Sequence, residues 1–363
     1  MAVIFWAALG LLVWTHAAYP AAARLLAALR GRSVHRDEGY LPTVAVIVTA
    51  YNEESVIERR IENLRALDYP AEKLELVVTS DASSDRTDEL AAAAGVRVIR
   101  NPRGGKVAAQ DGAVRQTSGE IVAFSDANCT WQPGALRALV RNFADPDVAY
   151  VCGRLNITDD GGRNKEGVYW RYELALRADE SRLDSVTGGN GSIYAVRRSD
   201  YVEVDPRFGH DLSLPYVMVQ RGRRAVYEPE ALAFEKPTPE LETEYRRKVR
   251  MFEHCWLIVL RGKMLRRLPP LYLAEILSHR HLRYASGLLH LVLLGTNTAL
   301  VAQRSGVVYD AALGAQAAFL AIAVVRPGLP RYYALITWAT VVALWNYLRR
   351  GVPATWDAAE GTR

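Results

Sequence analysis

The sequence predicts an α/β protein built on a mostly parallel sheet, with apolar helices at both ends of the chain. Three observations carry this. The run Thr43-Val-Ala-Val-Ile-Val-Thr-Ala50 is apolar and β-branched, and it stops abruptly at the polar tip Tyr51-Asn-Glu-Glu54. A central parallel strand, covered on both faces and open to a ligand at its carboxyl end, reads this way. Two similar units follow, Leu74 to Asp81 and Ile121 to Asn128, each with an aspartate at its tip. Between the first two, Ile57, Ile61 and Leu64 recur at helical spacing, so strand and helix alternate.

The elements follow in order. Ala2 to Ala18 is apolar apart from Thr15 and His16, and Tyr19 to Leu29 extends it. Small residues around Ala17-Ala18 would suit a cleavage site. However, no Lys or Arg precedes the run, while Arg24, Arg30, Arg32 and Arg36 follow it. That asymmetry favours an uncleaved anchor over residues 1–29, with its N-terminus outside and the next domain in the cytoplasm. An α/β domain is expected over 42–239: strand 44–49, helix 53–67, strand 74–79, helix 86–94 with Asp85 at its cap, strand 96–99, helix 106–116, strand 121–125, and a helix opened by Pro133. The second half of that domain is less regular. Residues 240–285 mix Trp256 and aliphatics with Arg246, Arg247, Arg250, Arg261, Arg266 and Arg267, the composition of amphipathic helices lying in a headgroup plane. Residues 286–348 hold three segments long enough to cross a bilayer: Ser286–Ala302, Val308–Val325 and Tyr332–Leu348. Three crossings would leave Arg349, Arg350 and the tail 349–363 outside, against the positive-inside tendency, unless one segment is re-entrant. A multi-pass protein of the plasma (inner) membrane, in contact with its lipids and with a cytoplasmic α/β domain, is expected.

Composition narrows the function classes. The 45 basic and 40 acidic residues leave a net charge of only +5, which gives no electrostatic footprint for nucleic acid. Cys129, Cys152 and Cys255 lack metal-type spacing, so neither a disulfide framework nor structural zinc is expected. No GxGxxG or GxxxxGK[ST] loop follows any strand, which argues against dinucleotide enzymes and P-loop NTPases. A bound nucleotide would instead meet strand-end carboxylates and a metal. Asp81 at a strand tip can accept hydrogen bonds from a base or a hydroxyl. Asp126 and Asn128, two residues apart on a turn, offer oxygen ligands to a hard divalent cation, Mg2+ or Mn2+.

The series Ala50-Tyr-Asn-Glu53, Ser80-Asp-Ala-Ser-Ser-Asp85, Gly104-Gly-Lys106 and Ser125-Asp-Ala-Asn128 resembles the family 2 glycosyltransferases with the Rossmann-like GT-A fold. The likeness continues through Gly191-Ser-Ile-Tyr-Ala-Val-Arg197, His210-Asp211 and Arg247-Lys-Val-Arg250, covering Pro42 to about Arg250. With the terminal helices, the layout resembles the membrane-bound synthases of cellulose, chitin and hyaluronan. The resemblance implies a nucleotide-sugar donor, UDP-linked, held by Ala50, Tyr51, Glu53, Asp81, Lys106 and Asp126, with Arg247 and Arg250 against its diphosphate. It implies a metal on Asp126 and Asn128, and Asp211 as the general base for inverting transfer. A polysaccharide or lipid-linked acceptor would meet Gly191, His210 and Trp256. Three positions depart from the pattern: Asn128 replaces a second aspartate, His210 stands where a glutamate is usual, and Met251 replaces a tryptophan. A silent membrane subunit of a polysaccharide export or assembly complex is the alternative. The intact set Asp81, Asp126 and Asp211 argues against it.

Overall fold

A computed structural model describes residues 1–158, 167–237 and 241–355. The segment 159–166 lies outside the described residues, as do the boundary at 239–240 and the tail beyond 355. The chain divides into two compact units. One gathers Ala23–Pro239, Met264–Tyr272 and the segment from Pro353; the other gathers Met1–Ala22, Glu240–Lys263 and Leu273–Val352. Linear order therefore does not define the α/β unit, which takes in pieces from beyond residue 240.

Among the described residues the α/β unit holds eight strands: β1 (Val44–Ala50), β2 (Leu74–Ser80), β3 (Arg97–Arg100), β4 (Ile121–Asp126), β5 (Thr130–Trp131), β6 (Val148–Ile157), β7 (Tyr194–Arg197) and β8 (Arg224–Glu235). They form one sheet in the order β3-β2-β1-β4-β7-β6-β8-β5. The first four are parallel, as the alternation predicts, and β1 is central, pairing with both β2 and β4. Val44, Val46 and Val48 pack on one side against Ile57, Ile61 and Leu64 of the helix Ile57–Arg65. Ile47 points to the other side with Val77, Val122 and Phe124. Two buried faces explain why the strand carries no polar alternation.

Register does the rest. Thr49 lies beside Asp126 and Ala50 beside Ser80, so the tips of β1, β2 and β4 end at one edge. Strand β7 is antiparallel to β4, with Tyr194 opposite Phe124. Its leading residues Gly191 and Ser192 therefore arrive beside the outgoing end of β4. The helix expected from Glu53 begins instead at Ile57. Residues 52–54 are a loop pinned to the next one: Asn52 N donates to Ser83 Oγ (3.2 Å), Glu53 N to Thr87 Oγ1 (2.7 Å) and Glu54 N to Asp85 Oδ2 (3.1 Å). Asp85 also accepts from Thr87 N at 3.0 Å, so it clasps two loops rather than only starting a helix.

In the helical unit, Phe5, Ala8 and Leu12 pack against Leu293 and Leu300. The helical run Ala2–Arg30 and the helix Val307–Val325 are long and apolar enough to cross a membrane, and the bent pair Pro270–Tyr284 plus Ser286–Ala302 makes a third candidate. The segment expected to cross at Tyr332–Leu348 forms the helix Leu329–Arg350, which is not among these. Its polar side chains pair with the helix Leu241–Arg261. Asn346 Nδ2 and Arg350 Nη2 donate to Glu253 Oε1 (2.7 and 3.0 Å), and Trp256 Nε1 donates to Thr340 O (2.9 Å).

Candidate active site

The tips of β1 and β2 build one wall. Asp81 is almost fully buried, and its carboxylate accepts from Gly104 N (2.7 Å) and from Gly105 N (3.0 and 3.1 Å). Arg103 Nη1 completes the set on Asp81 Oδ2, and the Arg103 guanidinium lies flat on the Tyr51 ring, 3.3 Å from its centroid. A buried carboxylate is tolerated only with such charge-assisted partners. Gly105 adopts φ +89°, a conformation that places its amide toward Asp81 and that glycine accepts without strain. Sequence reasoning passed over Arg103, although a basic residue directly before Gly-Gly-Lys was the available signal.

The tip of β4 builds the second wall. Lys106, the first residue of the helix Lys106–Val114, donates to Asp126 Oδ1 and to Gly191 O (3.2 Å). Ser192 Oγ donates to Asp126 Oδ2 at 3.2 Å and also bonds Glu235 Oε1. Burial works against the charge on Lys106. The attraction of Asp126, with Asp211 and Glu235 behind it, outweighs burial and holds the ammonium above its ordinary pKa. One cation thus feels three carboxylates. Beneath this tip the buried Arg60 donates to Ser125 Oγ (2.6 Å) and covers the Trp131 ring (5.0 Å to its centroid), fixing the strand end from below.

The same carboxylates suit a hard divalent ion. Asp126 remains partly open, with 28% of its side chain exposed, and Asn128 follows two residues on. Among the described residues no three His, Cys, Asp or Glu side chains converge as a cage. An ion there would complete its shell with phosphate and water oxygens, as magnesium-type sites do.

Asp211 occupies the first turn of the helix His210–Gln220, and its carbonyl oxygen accepts from Gly189 N at 2.7 Å. Its carboxylate takes no hydrogen bond from any described residue. His210 behaves differently from the acceptor contact expected of it. It is buried, with Nδ1 3.0 Å from Tyr194 Oη and Nε2 3.5 Å from Tyr201 Oη, and it packs edge-on against Phe124. Burial, helped by the Lys106 charge, lowers its pKa to about 3, so it is a neutral packing residue at neutral pH. Tyr201 in turn donates to Asp111 Oδ1 (2.5 Å), whose pKa burial raises to about 6.

The fold therefore collects Ala50, Tyr51, Glu53, Asp81, Lys106, Asp126, Asn128, Gly191, His210 and Asp211 in the α/β unit. Arg247, Arg250 and Trp256 lie on the helix Leu241–Arg261 of the helical unit. There Arg247 Nε donates to Glu244 Oε2 (2.9 Å), while Trp256 is buried with its indole N–H already committed to Thr340. Ser192 and Glu235, which join the Asp126 cluster, had no signal beyond their place beside Gly191 and at the end of β8.

The sequence profile described as "Glycosyl transferase family 2" matches residues 45–204. The chain is 32% identical over 164 residues to the beta-monoglucosyldiacylglycerol synthase of Synechocystis sp., covering 42% of this chain and 33% of the relative. It is 29% identical over 238 residues to an N-acetylglucosaminyltransferase of Rhizobium meliloti, covering 58% and 55%. The chain thus spans a third to about half of the length of these curated relatives. Among solved structures, the mannosyltransferase PcManGT from Pyrobaculum calidifontis, in complex with GDP-Man and Mn2+, superposes with a TM-score of 0.73 at 23% identity, covering 95% of this chain and 99% of that one. That likeness is one of fold, and the fold is GT-A.

Proposed function

We propose that this chain, whose residues 45–204 match the family 2 glycosyltransferase profile, is an inverting enzyme that moves a sugar from a nucleotide donor to a glycan or lipid-linked acceptor. It works at the cytoplasmic face of the membrane. The observation that carries the reading is the Lys106 ammonium, which touches Asp126 and Gly191 O while standing in the field of Asp211 and Glu235. One lysine thus links the tip of β4 electrostatically to the candidate base.

The wall of Tyr51, Asp81 and Arg103 suits a nucleobase and ribose, since it offers a flat ring, a carboxylate and a planar cation. Asp211 takes the proton of the acceptor hydroxyl. That oxygen forms the new bond to the anomeric carbon while the bond to the diphosphate breaks on the opposite side, and the diphosphate leaves with the electron pair. Lys106 supplies positive charge where the leaving group gathers negative charge. Mg2+ or Mn2+ on Asp126, with Asn128 beside it, would add Lewis-acid stabilisation of the diphosphate. The apolar runs Ala2–Arg30 and Val307–Val325 support a multi-pass membrane protein.

The test is detergent-purified full-length chain presented with UDP- and GDP-linked sugars, both included because PcManGT carries GDP-Man. Nucleoside diphosphate release that depends on donor, metal and acceptor supports the reading; none from any donor refutes it. Product sizing separates a ladder from a single addition.

A further inference from the structure

The chain passes through the helical unit and comes back. Met264–Tyr272 belongs to the α/β unit, Leu273–Val352 does not, and the chain rejoins the α/β unit from Pro353. The point of return is specific. A methyl group placed on Gly105 would overlap the Ala354 carbonyl oxygen, and would lie 2.8 Å from the Ala354 carbonyl carbon and 3.4 Å from Thr355 N. The backbone of the returning segment therefore rests directly on the Cα of Gly105. The amide of that same residue bonds both oxygens of Asp81.

We propose that Pro353–Thr355 acts as a strap behind the donor loop, holding the Gly104 and Gly105 amides on Asp81 so that donor affinity depends on this segment. The inference rests on the donor-site reading above. The loop needs such support. It carries a left-handed residue at Gly105, and its three donors to Asp81 come from the short stretch Arg103–Gly105. Chain held against the outer side of Gly105 removes the room into which the loop would swing. The strap is a positioning element: it acts through Gly105, and the groups facing the donor remain Asp81, Arg103 and Tyr51.

The test compares the full-length chain with one ended after Val352. Two quantities are read: amide hydrogen exchange of the peptide holding Gly104 and Gly105, and steady-state kinetics against the donor. The strap predicts faster exchange in the shortened chain and a donor KM raised about tenfold with kcat little changed. Equal exchange and equal KM overturn it. Exchange is read without donor, so failure of the full-length chain to use any nucleotide sugar would sink the functional reading and leave the strap to be judged on exchange. Should the shortened chain fail to fold, Thr355→Cys in the full-length protein serves instead. Labelling by a membrane-impermeant maleimide should occur only from the side of the α/β unit and should accelerate when Gly105→Ala expels the strap. Labelling from the opposite side, or rates indifferent to Gly105→Ala, overturns the proposal.

Discussion

Lys106 and Asp126 form an ion pair whose lysine also bonds the Gly191 carbonyl, so a loop from the second half of the domain is tied to the tip of β4. Removing the carboxylate takes away that tie and leaves any metal without its charged ligand. Asp126→Ala is expected to lower kcat/KM by roughly 10²–10³-fold. Chelation should silence the wild type reversibly, with Mg2+ or Mn2+ restoring nucleoside diphosphate release. Unchanged turnover in either experiment would remove Asp126 from the chemistry.

Asp211 is expected to govern the chemical step alone. Asp211→Asn preserves size and the first-turn position, and should cut kcat by about 10²–10⁴-fold, the range of a lost general base. Nucleoside diphosphate affinity, measured by calorimetry, should stay within about threefold, because no donor-site hydrogen bond involves this carboxylate.

His210 and Asp111, neighbours 3.8 Å apart, are shifted in opposite directions by burial, and this predicts an unusual pH response. Burial raises Asp111 to about 6, so its contribution favours the folded state below its unfolded value near 4 and is lost as pH rises through 6. Burial and Lys106 lower His210 to about 3, so its contribution is present above 6.5 and is lost as pH falls toward 3. The slopes oppose each other between pH 4 and 6. Thermal unfolding of the wild type should be nearly flat there. Asp111→Asn should lose stability as pH falls, whereas His210→Gln should gain it, each by at most about 2–3 kcal/mol. Parallel curves for all three proteins would contradict this.

Tyr150 and Gly189 make a packing test. Tyr150 is buried and its hydroxyl has no hydrogen-bond partner among the described residues, yet a methyl group on Gly189 would overlap that oxygen and lie 3.1 Å from Cys152 Cβ. Gly189→Ala is expected to destabilise by about 1–3 kcal/mol through overpacking. Tyr150→Phe alone should stabilise by about 1 kcal/mol by removing an unsatisfied hydroxyl, and it should partly rescue Gly189→Ala. Strict additivity in the double variant would show that the two residues do not meet.

What could be read in advance follows from local pattern. A central parallel strand announces itself as an unbroken apolar run, so β1, β2 and β4 and their tips at Tyr51, Asp81 and Asp126 were legible. Strands β6 and β8 were not, because register shifts near Val148–Tyr150 and Cys152–Arg154 break their periodicity. His210 reads as polar beside a base; its burial depends on Phe124, Tyr194 and Tyr201, which come from separate segments. Arg103 escaped notice because its value lies in a flat contact with Tyr51 rather than in any spacing. Residues 332–348 read as a uniformly apolar segment; that Asn346 and Arg350 of the helix Leu329–Arg350 pair with Glu253 depends on the separate helix Leu241–Arg261 and could not be read locally.

The contact of Ala354 with Gly105 also sets an order of events during synthesis. Residues 23–239 emerge from the ribosome well before the segment that backs their donor loop, with the helices of 273–352 made in between. A nascent chain can form the sheet early, yet with the strap acting as proposed it would gain its full grip on a sugar donor only once those helices have been made. On the membrane and donor-site readings proposed above, a chain stranded part-way into the bilayer would then bind donor weakly.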